Sequence, residues 1–433
     1  MRLIHTSDWH LGQYFYGKSR ENEHQQFLNW LLTSVTEHKV DVIVVAGDIF
    51  DTATPPSYAR QMYFNFISDL QVTGCQLVVL AGNHDSVSML AESKELLSAL
   101  STRVIANVTD PHIGQNLTEQ VFIIENKQGE AMAVFCAVPF IRPRDVIKSQ
   151  AGQSASEKSN SLQQAIVEHY QLLYAQAKKL VEASKLNIPI IATGHLTALG
   201  VTTSDSVRDI YIGTLEALPS NAFPAADYIA LGHIHKCQRV GKTEHIRYCG
   251  SPISLSFDEA KQTKRVLLVE FAQQKLSTVT ELTVPCFQPL AMVKTSLDKL
   301  QQDVEAIVIN ATVSESNKNI WLDIELSDAH LLSDLQSKIA PLIEDFPIEV
   351  LLVRREKQVR KNLMLKNQQD NSTLNELSLD EVFESRLQQE PWLENNDESQ
   401  FIEDDGTEQS TERKMNLKNL FKQTVEQVLA GKS

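Results

Sequence analysis

Five apolar runs that each stop on Asp, Asn or His constrain this chain more than any other feature. Arg2–His5 runs into Asp8-Trp9-His10, and Val42–Ala46 into Gly47-Asp48-Ile49-Phe50-Asp51. Leu77–Ala81 runs into Gly82-Asn83-His84-Asp85, Ile188–Thr193 into Gly194-His195, and Tyr228–Leu231 into Gly232-His233-Ile234-His235. Short stretches of Val, Ile and Leu bounded by Gly, Asn or Asp are the signature of strands buried on both faces. Further runs at Val121–Ile124, Ala133–Ala137, Ile246–Cys249 and Val266–Phe271 have the same character. Helical stretches over Asn22–Glu37, Ser57–Gln71, Val87–Leu100 and Ser161–Ser184 lie between them. That alternation predicts an α/β layer architecture. Ligands in such sheets bind beyond the carboxyl ends of the strands, so the five polar clusters are expected to meet at one site.

Each cluster alone has an ordinary explanation. Asp-x-His is a common surface loop, Gly-Asn-His-Asp a turn, and Gly-His-Ile-His two histidines satisfied by backbone. All five at strand ends in one chain restrict the chemistry far more sharply. The set holds carboxylates, imidazoles and one amide. Such oxygen and nitrogen donors suit Mn²⁺ or Fe²⁺, with Zn²⁺ or Co²⁺ as substitutes. Two Asp and four His exceed the needs of one open site and suit two metals about 3.5–4 Å apart with a shared carboxylate. Two carboxylates against four positive charges leave the site net positive, which favours an anionic phosphoryl substrate and a metal-activated water as nucleophile.

Composition narrows the classes. Acidic residues number 55 against 40 basic ones, a net charge of −15, which excludes a whole-surface nucleic-acid binder and leaves room for local basic patches. No run of 18 apolar residues predicts a membrane helix, and the first ten residues have no apolar leader core. The five cysteines (Cys75, Cys136, Cys237, Cys249, Cys286) form no C-x-x-C and read as reduced thiols of a cytoplasmic protein.

Three regions are expected. Residues 1–284 hold the strand-end clusters. Residues 289–355 read as strand, helix, strand, helix, strand (291–294, 297–307, 320–326, 328–344, 348–353), a small α+β domain joined through the Pro-containing stretch Val284–Pro289. Residues 356–433 form a C-terminal extension. Ser378-Leu-Asp-Glu381 has the capping-box pattern and opens a short helix to Leu387. Gln388–Glu412 carries nine acids and no Lys or Arg, as a solvated linker does. Arg413–Ala430 is an amphipathic helix with Leu417, Leu420, Phe421, Val425, Val428 and Leu429 near one stripe.

The motif set resembles the calcineurin-like metallophosphoesterase superfamily. The fuller stretches His5–Gly12, Val44–Asp51, Ala81–Ser86, Val207–Gly213 and Tyr228–His235 resemble its SbcD branch, bacterial nuclease subunits of SbcCD complexes. The resemblance implies a β-sandwich flanked by helices, a small capping domain, a helical C-terminal extension and two Mn²⁺, with Mg²⁺ or other divalent ions as substitutes. It implies that Asp8, His10 and His235 hold the first metal, that Asn83, His195 and His233 hold the second, and that Asp48 bridges them. His84 would then face the scissile phosphate without binding metal. Asp51 stands where many relatives carry His, and the wider superfamily suggests that it orients His84.

The resemblance further implies an Mn²⁺-dependent 3′→5′ exonuclease on duplex DNA ends and an endonuclease on single strands and hairpins, serving DNA recombination, replication and repair. ATP would act through the SbcC partner, in a heterotetramer of two nuclease and two ATPase subunits. It implies a nucleoid-associated cytoplasmic location and a homodimer through the helices near 57–71 and 87–100. The wide stripe Tyr58, Met62, Tyr63, Phe66, Ile67 and Leu70 fits such an interface, and also fits ordinary core packing. Lys18, Arg20, Arg142, Arg144 and Lys148 are candidate DNA contacts, with solvated loop charge as the plain alternative. Two other functions compete: a small-molecule phosphodiesterase, and a DNA-end tether whose metals are structural.

Overall fold

In the computed structural model the strands collect into two six-stranded sheets packed face to face. The structure describes residues 1–108, 117–146, 155–185, 187–207, 217–310, 319–327 and 335–355, with a few positions between 383 and 425. The first sheet contains β1 (Arg2–Thr6), β4 (Val42–Ala46), β5 (Gln76–Leu80), β6 (Thr102–Ile105), β13 (Arg265–Ala272) and β14 (Lys275–Thr283), in the order β14-β13-β1-β4-β5-β6. The run β1-β4-β5-β6 is parallel, and β13 and β14 continue it antiparallel. The second sheet contains β7 (Val121–Glu125), β8 (Ala131–Cys136), β9 (Ile190–His195), β10 (Tyr228–Gly232), β11 (Gln238–Arg239) and β12 (Ile246–Tyr248), ordered β11-β12-β10-β9-β8-β7. Its four central strands are parallel and both edges antiparallel.

The side-chain period of two sorts each strand between two cores. Leu3, Val42, Val44, Val78 and Leu80 face Phe135, Ile191, Tyr228 and Ala230 of the second sheet. Ile4, Ile43, Val45, Leu77 and Val79 face outward, under helices α1 (Glu21–His38) and α2 (Ser57–Thr73). The 30-residue α6 (Ala155–Ser184) covers the far face of the second sheet through Leu162, Ile166, Tyr170, Leu173 and Ala177. Central strands are therefore buried on both sides, which is why they read as unbroken apolar runs.

The wide stripe on α2 is spent on this core. Met62, Tyr63, Phe66, Ile67 and Leu70 are all buried within the chain, with Tyr58 packed beside them, and of the large apolar side chains in mid-helix Phe64 is the one exposed. The second helix expected for the dimer is two pieces, α3 (Val87–Glu92) and α4 (Lys94–Ser98), parted at Ser93, which lies outside helical geometry.

Residues 290–355 form an all-parallel three-stranded sheet of β15 (Leu290–Thr295), β16 (Ile320–Leu326) and β17 (Ile348–Arg355), with α7 (Leu300–Asn310) and α8 (Leu335–Ile343) around a core of Leu300, Val304, Leu322, Ile324 and Ile339. The first seven residues of the expected helix 328–344 lie outside the described residues. This sheet meets the loop after β1 through a small hairpin, β2 (Tyr14–Phe15) and β3 (Lys18–Ser19). Phe15 stacks on Trp321 with ring centroids 5.8 Å apart and planes 12° apart, and Phe257 closes the cluster.

Lys357–Ser433 is a separate compact unit. Among its described residues Phe383 stacks on Phe421 at 4.0 Å and Lys418 pairs with Glu384 at 2.6 Å. The acidic stretch 388–412 and most of the expected helix 413–430 lie outside the described residues. No helix of the described residues is long and apolar enough to cross a membrane.

Candidate metal centre

The two sheets bring their carboxyl edges to one place. β1 delivers Asp8 and His10, β4 delivers Asp48 and Asp51, and β5 delivers Asn83 and His84 from the first sheet. β9 ends on His195, and β10 leads into His233 and His235 from the second. Asp8, His10, Asp48, His195, His233 and His235 are all 3 % exposed or less. Ligand-type atoms lie within 4.8 Å of one another in three groups: Asp8, His10, His235; His10, Asp48, His84; and Asp48, His195, His233. Asn83 joins the last, its Oδ1 2.9 Å from His195 Nε2 and 3.2 Å from His233 Nδ1.

Backbone geometry holds the cluster together. Asp8, His10, Asp48 and His233 all have positive φ (53°, 47°, 51° and 91°), a region non-glycine residues rarely occupy. Such strain persists where surrounding contacts enforce it, and it collects at functional sites. Here Asp8 N donates to Gly47 O (3.0 Å) and His10 N to Asp48 O (3.1 Å), lacing the first two loops together. His233 N donates to Asp8 Oδ1 (2.9 Å) and His84 N to Asp48 Oδ1 (2.9 Å), which ties the second sheet and the third loop to the same carboxylates. Asp85 accepts from Ile49 N, Phe50 N and Gly82 N at 2.8–3.1 Å, clamping the loops after β4 and β5. Burial and the nearby Asp48 charge raise its carboxyl to about 6.

The donor set fits divalent metal. His195 Nδ1–H donates to Ala46 O (2.8 Å), which turns its Nε2 toward two acceptors, Asn83 Oδ1 (2.9 Å) and Asp48 Oδ2 (3.2 Å). His10 turns Nδ1 to Asp51 Oδ1 (3.1 Å), while its buried Nε2 lies 3.7 Å from Asp48 Oδ2 with no hydrogen-bond partner. Histidine nitrogens converging on buried carboxylate and amide oxygens call for positive charge among them, which a ring proton or a metal ion can supply. Burial opposes a charged His195, yet the Asp48 and Asp8 carboxylates outweigh it and raise the ring to about 9. Burial likewise works against a charged Asp48, which His195 and His84 hold well below the usual carboxylate range. The carboxylate field thus calls for positive charge where two ions would sit.

Several placements depart from expectation. His84 Nδ1 donates to the main-chain oxygen of Asp51 (2.6 Å), while the Asp51 carboxylate faces His10; the peptide, through which the loop passes directly behind His84, makes the orienting contact. Arg20, expected as a DNA contact, is 1 % exposed. It precedes α1, and its guanidinium is held by Glu23, Gln13 Oε1 and the Ser254 carbonyl, so it is a buried structural cation. Lys18 is half-exposed and paired with Glu349, Arg142 donates to Asp85 O (3.1 Å), and Arg144 is well exposed. Lys148 and most of the motif 207–213 lie outside the described residues.

Sequence reasoning missed Glu259, which is fully buried with Oε1 3.4 Å from His235 Nδ1. Burial works against its charge, but the His235 hydrogen bond and the Lys264 ammonium outweigh that and hold it well below the usual range. Its only sequence signal is a Glu and a Lys five residues apart in Ser256–Lys264, a spacing common on any surface.

Comparison with known proteins agrees with this geometry. The family model described as calcineurin-like phosphoesterase matches residues 1–237, and the one described as Type 5 capsule protein repressor C-terminal domain matches 286–391. The chain is 52 % identical over 400 residues to the SbcD subunit of the SbcCD nuclease of Escherichia coli K12, covering 92 % of this chain and 95 % of that protein. The corresponding SbcCD nuclease subunit of Bacillus subtilis is 31 % identical over 77 % of this chain and 81 % of its own length. A solved β-glucosidase from Exiguobacterium marinum aligns at TM-score 0.19 and 10 % identity over 77 % of this chain and 78 % of that one, a score that carries no argument. Family model, relatives and the convergence of five strand ends agree: the chain belongs to the SbcD family of nuclease subunits, within the calcineurin-like phosphoesterases.

Proposed function

We propose that the chain is a two-metal nuclease that cuts DNA phosphodiester bonds as the nuclease subunit of an SbcCD-type complex. The observation that carries the reading is the pair of opposed, buried acceptor sets around Asp48, with His10 Nε2 partnerless on one side and His195 Nε2 facing Asn83 on the other. In this reading Asp8, His10 and His235 hold one ion, Asn83, His195 and His233 the other, and Asp48 both. Mn²⁺ suits this mixed imidazole and carboxylate set. The bound ions would supply an activated water and neutralise charge on the phosphate. The protein's part is to hold the strained loops rigid and to place His84. With Nδ1–H given to the Asp51 carbonyl, His84 offers Nε2 to the leaving oxygen, donating to it as imidazolium.

The finer reading follows the relatives. The substrate would be duplex ends for 3′→5′ exonuclease action, and single strands or hairpins for endonuclease action. ATP would act through SbcC, in a heterotetramer located in the cytoplasm at the nucleoid. Residues 1–284 are the nuclease domain, 289–355 the capping domain and 356–433 the extension that binds the partner. Arg142 and Arg144, with Lys18 and Lys148, remain the candidate phosphate contacts. Exposed Phe64 on α2 and Leu96 on α4, 40 % and 69 % accessible, support a homodimer through these helices.

The test is cleavage by the purified chain with Mn²⁺, with and without the ATPase partner and ATP, on free-end and blocked-end duplexes, a hairpin and a small phosphodiester. Mn²⁺-dependent DNA cleavage that gains access to duplex ends with partner and ATP is the expected result. Turnover of the small phosphodiester alone, with DNA intact beside the partner, overturns it.

A further inference from the structure

Behind His235 lies a buried polar assembly that belongs to none of the motifs. Glu259 closes a short 3-10 turn, Phe257–Glu259, and is fully buried. Its Oε1 accepts from Ser206 Oγ (2.5 Å) and Ser204 Oγ (2.7 Å). Its Oε2 accepts from Lys264 Nζ (2.6 Å) and Leu255 N (2.9 Å), with Ser251 Oγ at 3.5 Å. Lys264, 9 % exposed, also donates to Ser251 Oγ (3.0 Å) and to the main-chain oxygen of His235 itself (3.2 Å). A buried ion pair is weak as a source of stability, because desolvation opposes the Coulomb gain. A pair this completely bonded, wrapped around one histidine, has another use.

Donor order shows what that use is. An ionised carboxylate only accepts, so Ser206 gives its single hydroxyl proton to Glu259. Ser206 Oγ, 2.6 Å from His235 Nδ1, can then only accept from that ring. The Nδ1 proton is thereby fixed, and Nε2 is left as the free electron pair.

We propose that Glu259 is a positioning residue for the metal centre, acting through Ser206 to set the tautomer and orientation of His235. Phe257, two residues earlier, is buried against Phe15 (ring centroids 4.9 Å apart) in the aromatic cluster that includes Trp321, which anchors the turn that seats the carboxylate. The inference rests on the metal reading of the site.

Glu259→Gln tests it in the full chain. The new amide must turn its oxygen to Lys264, which only donates, and its NH₂ to the serines. Ser206 is then released to donate to His235 Nδ1, and the proton moves to Nε2. The expected results are a His235 tautomer switched from Nδ1–H to Nε2–H in the ¹⁵N spectrum of the metal-free protein, and Mn²⁺ affinity at one of two sites lowered about 10–100-fold. The variant's metal-free melting curve should remain cooperative. A folded Glu259→Gln protein with the original tautomer and both Mn²⁺ affinities unchanged overturns the proposal. Should that variant not fold, Ser206→Ala, which leaves the Glu259–Lys264 pair intact, must weaken one site at least threefold, and wild-type affinity there overturns it equally. The wild-type titration separates the two levels: binding of no Mn²⁺ at all defeats the metal reading itself.

Discussion

Asp51 steadies His10 with its carboxylate, 3.1 Å from Nδ1, and His84 with its main-chain oxygen, 2.6 Å from that ring's Nδ1. One residue thus serves a candidate metal ligand and the histidine proposed to face the substrate by two different groups, and only one of them is a side chain. Asp51→Ala should therefore lower Mn²⁺ affinity about 10–100-fold while leaving His84 in place. Excess Mn²⁺ should restore most of the cleavage rate. A rate that stays a hundredfold down at saturating metal would show that the carboxylate acts on the chemistry instead.

His84 itself is separable from metal binding. His84→Ala should cut the rate of phosphodiester cleavage by about 10²–10⁴, with two Mn²⁺ still bound per chain. Calorimetry and cleavage on the same preparation check this. Loss of an ion along with the rate would assign His84 to the His10–Asp48 group as a ligand.

The approach of the two sheets leaves no room at Gly232. A Cβ there would stand 1.9 Å from the Ala46 oxygen and 2.9 Å from His195 Nδ1, against the bond that orients His195. Gly232→Ala should destabilise the metal-free chain by at least about 1–3 kcal/mol, the usual range for overpacking, and weaken Mn²⁺ binding as well. Urea unfolding at wild-type stability would mean that the sheets part more readily than this packing implies.

Acid should unfold the metal-free chain through two buried histidines. Burial pushes His5 and His24 down to about 3 from an ordinary value of 6.5. His5 Nε2–H donates to Leu231 O (3.1 Å) and Nδ1 accepts from Tyr228 (3.0 Å), an arrangement suited to the neutral ring. A depressed folded pKa gives stability that is present above 6.5 and is lost as pH falls toward 3. Each histidine contributes a slope approaching about 1.4 kcal/mol per pH unit in that window. The urea midpoint should drop from pH 7 to pH 5, and His24→Gln should flatten the drop. An unchanged profile in that variant would remove His24 from the account.

Much of this site could be read before the fold was known, for a physical reason. Strands buried on both faces must be apolar throughout, so polar residues crowding their ends stand out. Where that constraint lapses, so does the signal. β14 is an edge strand with only Leu276, Val279 and Leu282 partly buried, and its polar remainder hides it. Glu259 and Arg20 were invisible because a buried charge is defined by partners distant in sequence: Ser206 and His235 for one, Ser254 for the other. The reading of Tyr63 and Phe66 as interface residues was ambiguous because one amphipathic pattern serves both a core and a partner, and here it serves the core.

Phe15 stands five residues after His10 and stacks on Trp321 of the small sheet. Gln13, between them, bonds back to the His10 carbonyl at 3.0 Å. The loop that carries a candidate ligand and the domain that would shape access to the site therefore share one aromatic wall. Close-packed interiors pass on displacement rather than absorbing it. A chimera that borrowed this small sheet from a distant relative would have to import Phe15 and Phe257 with it, or lose the calibration of a candidate metal site that the graft never touches.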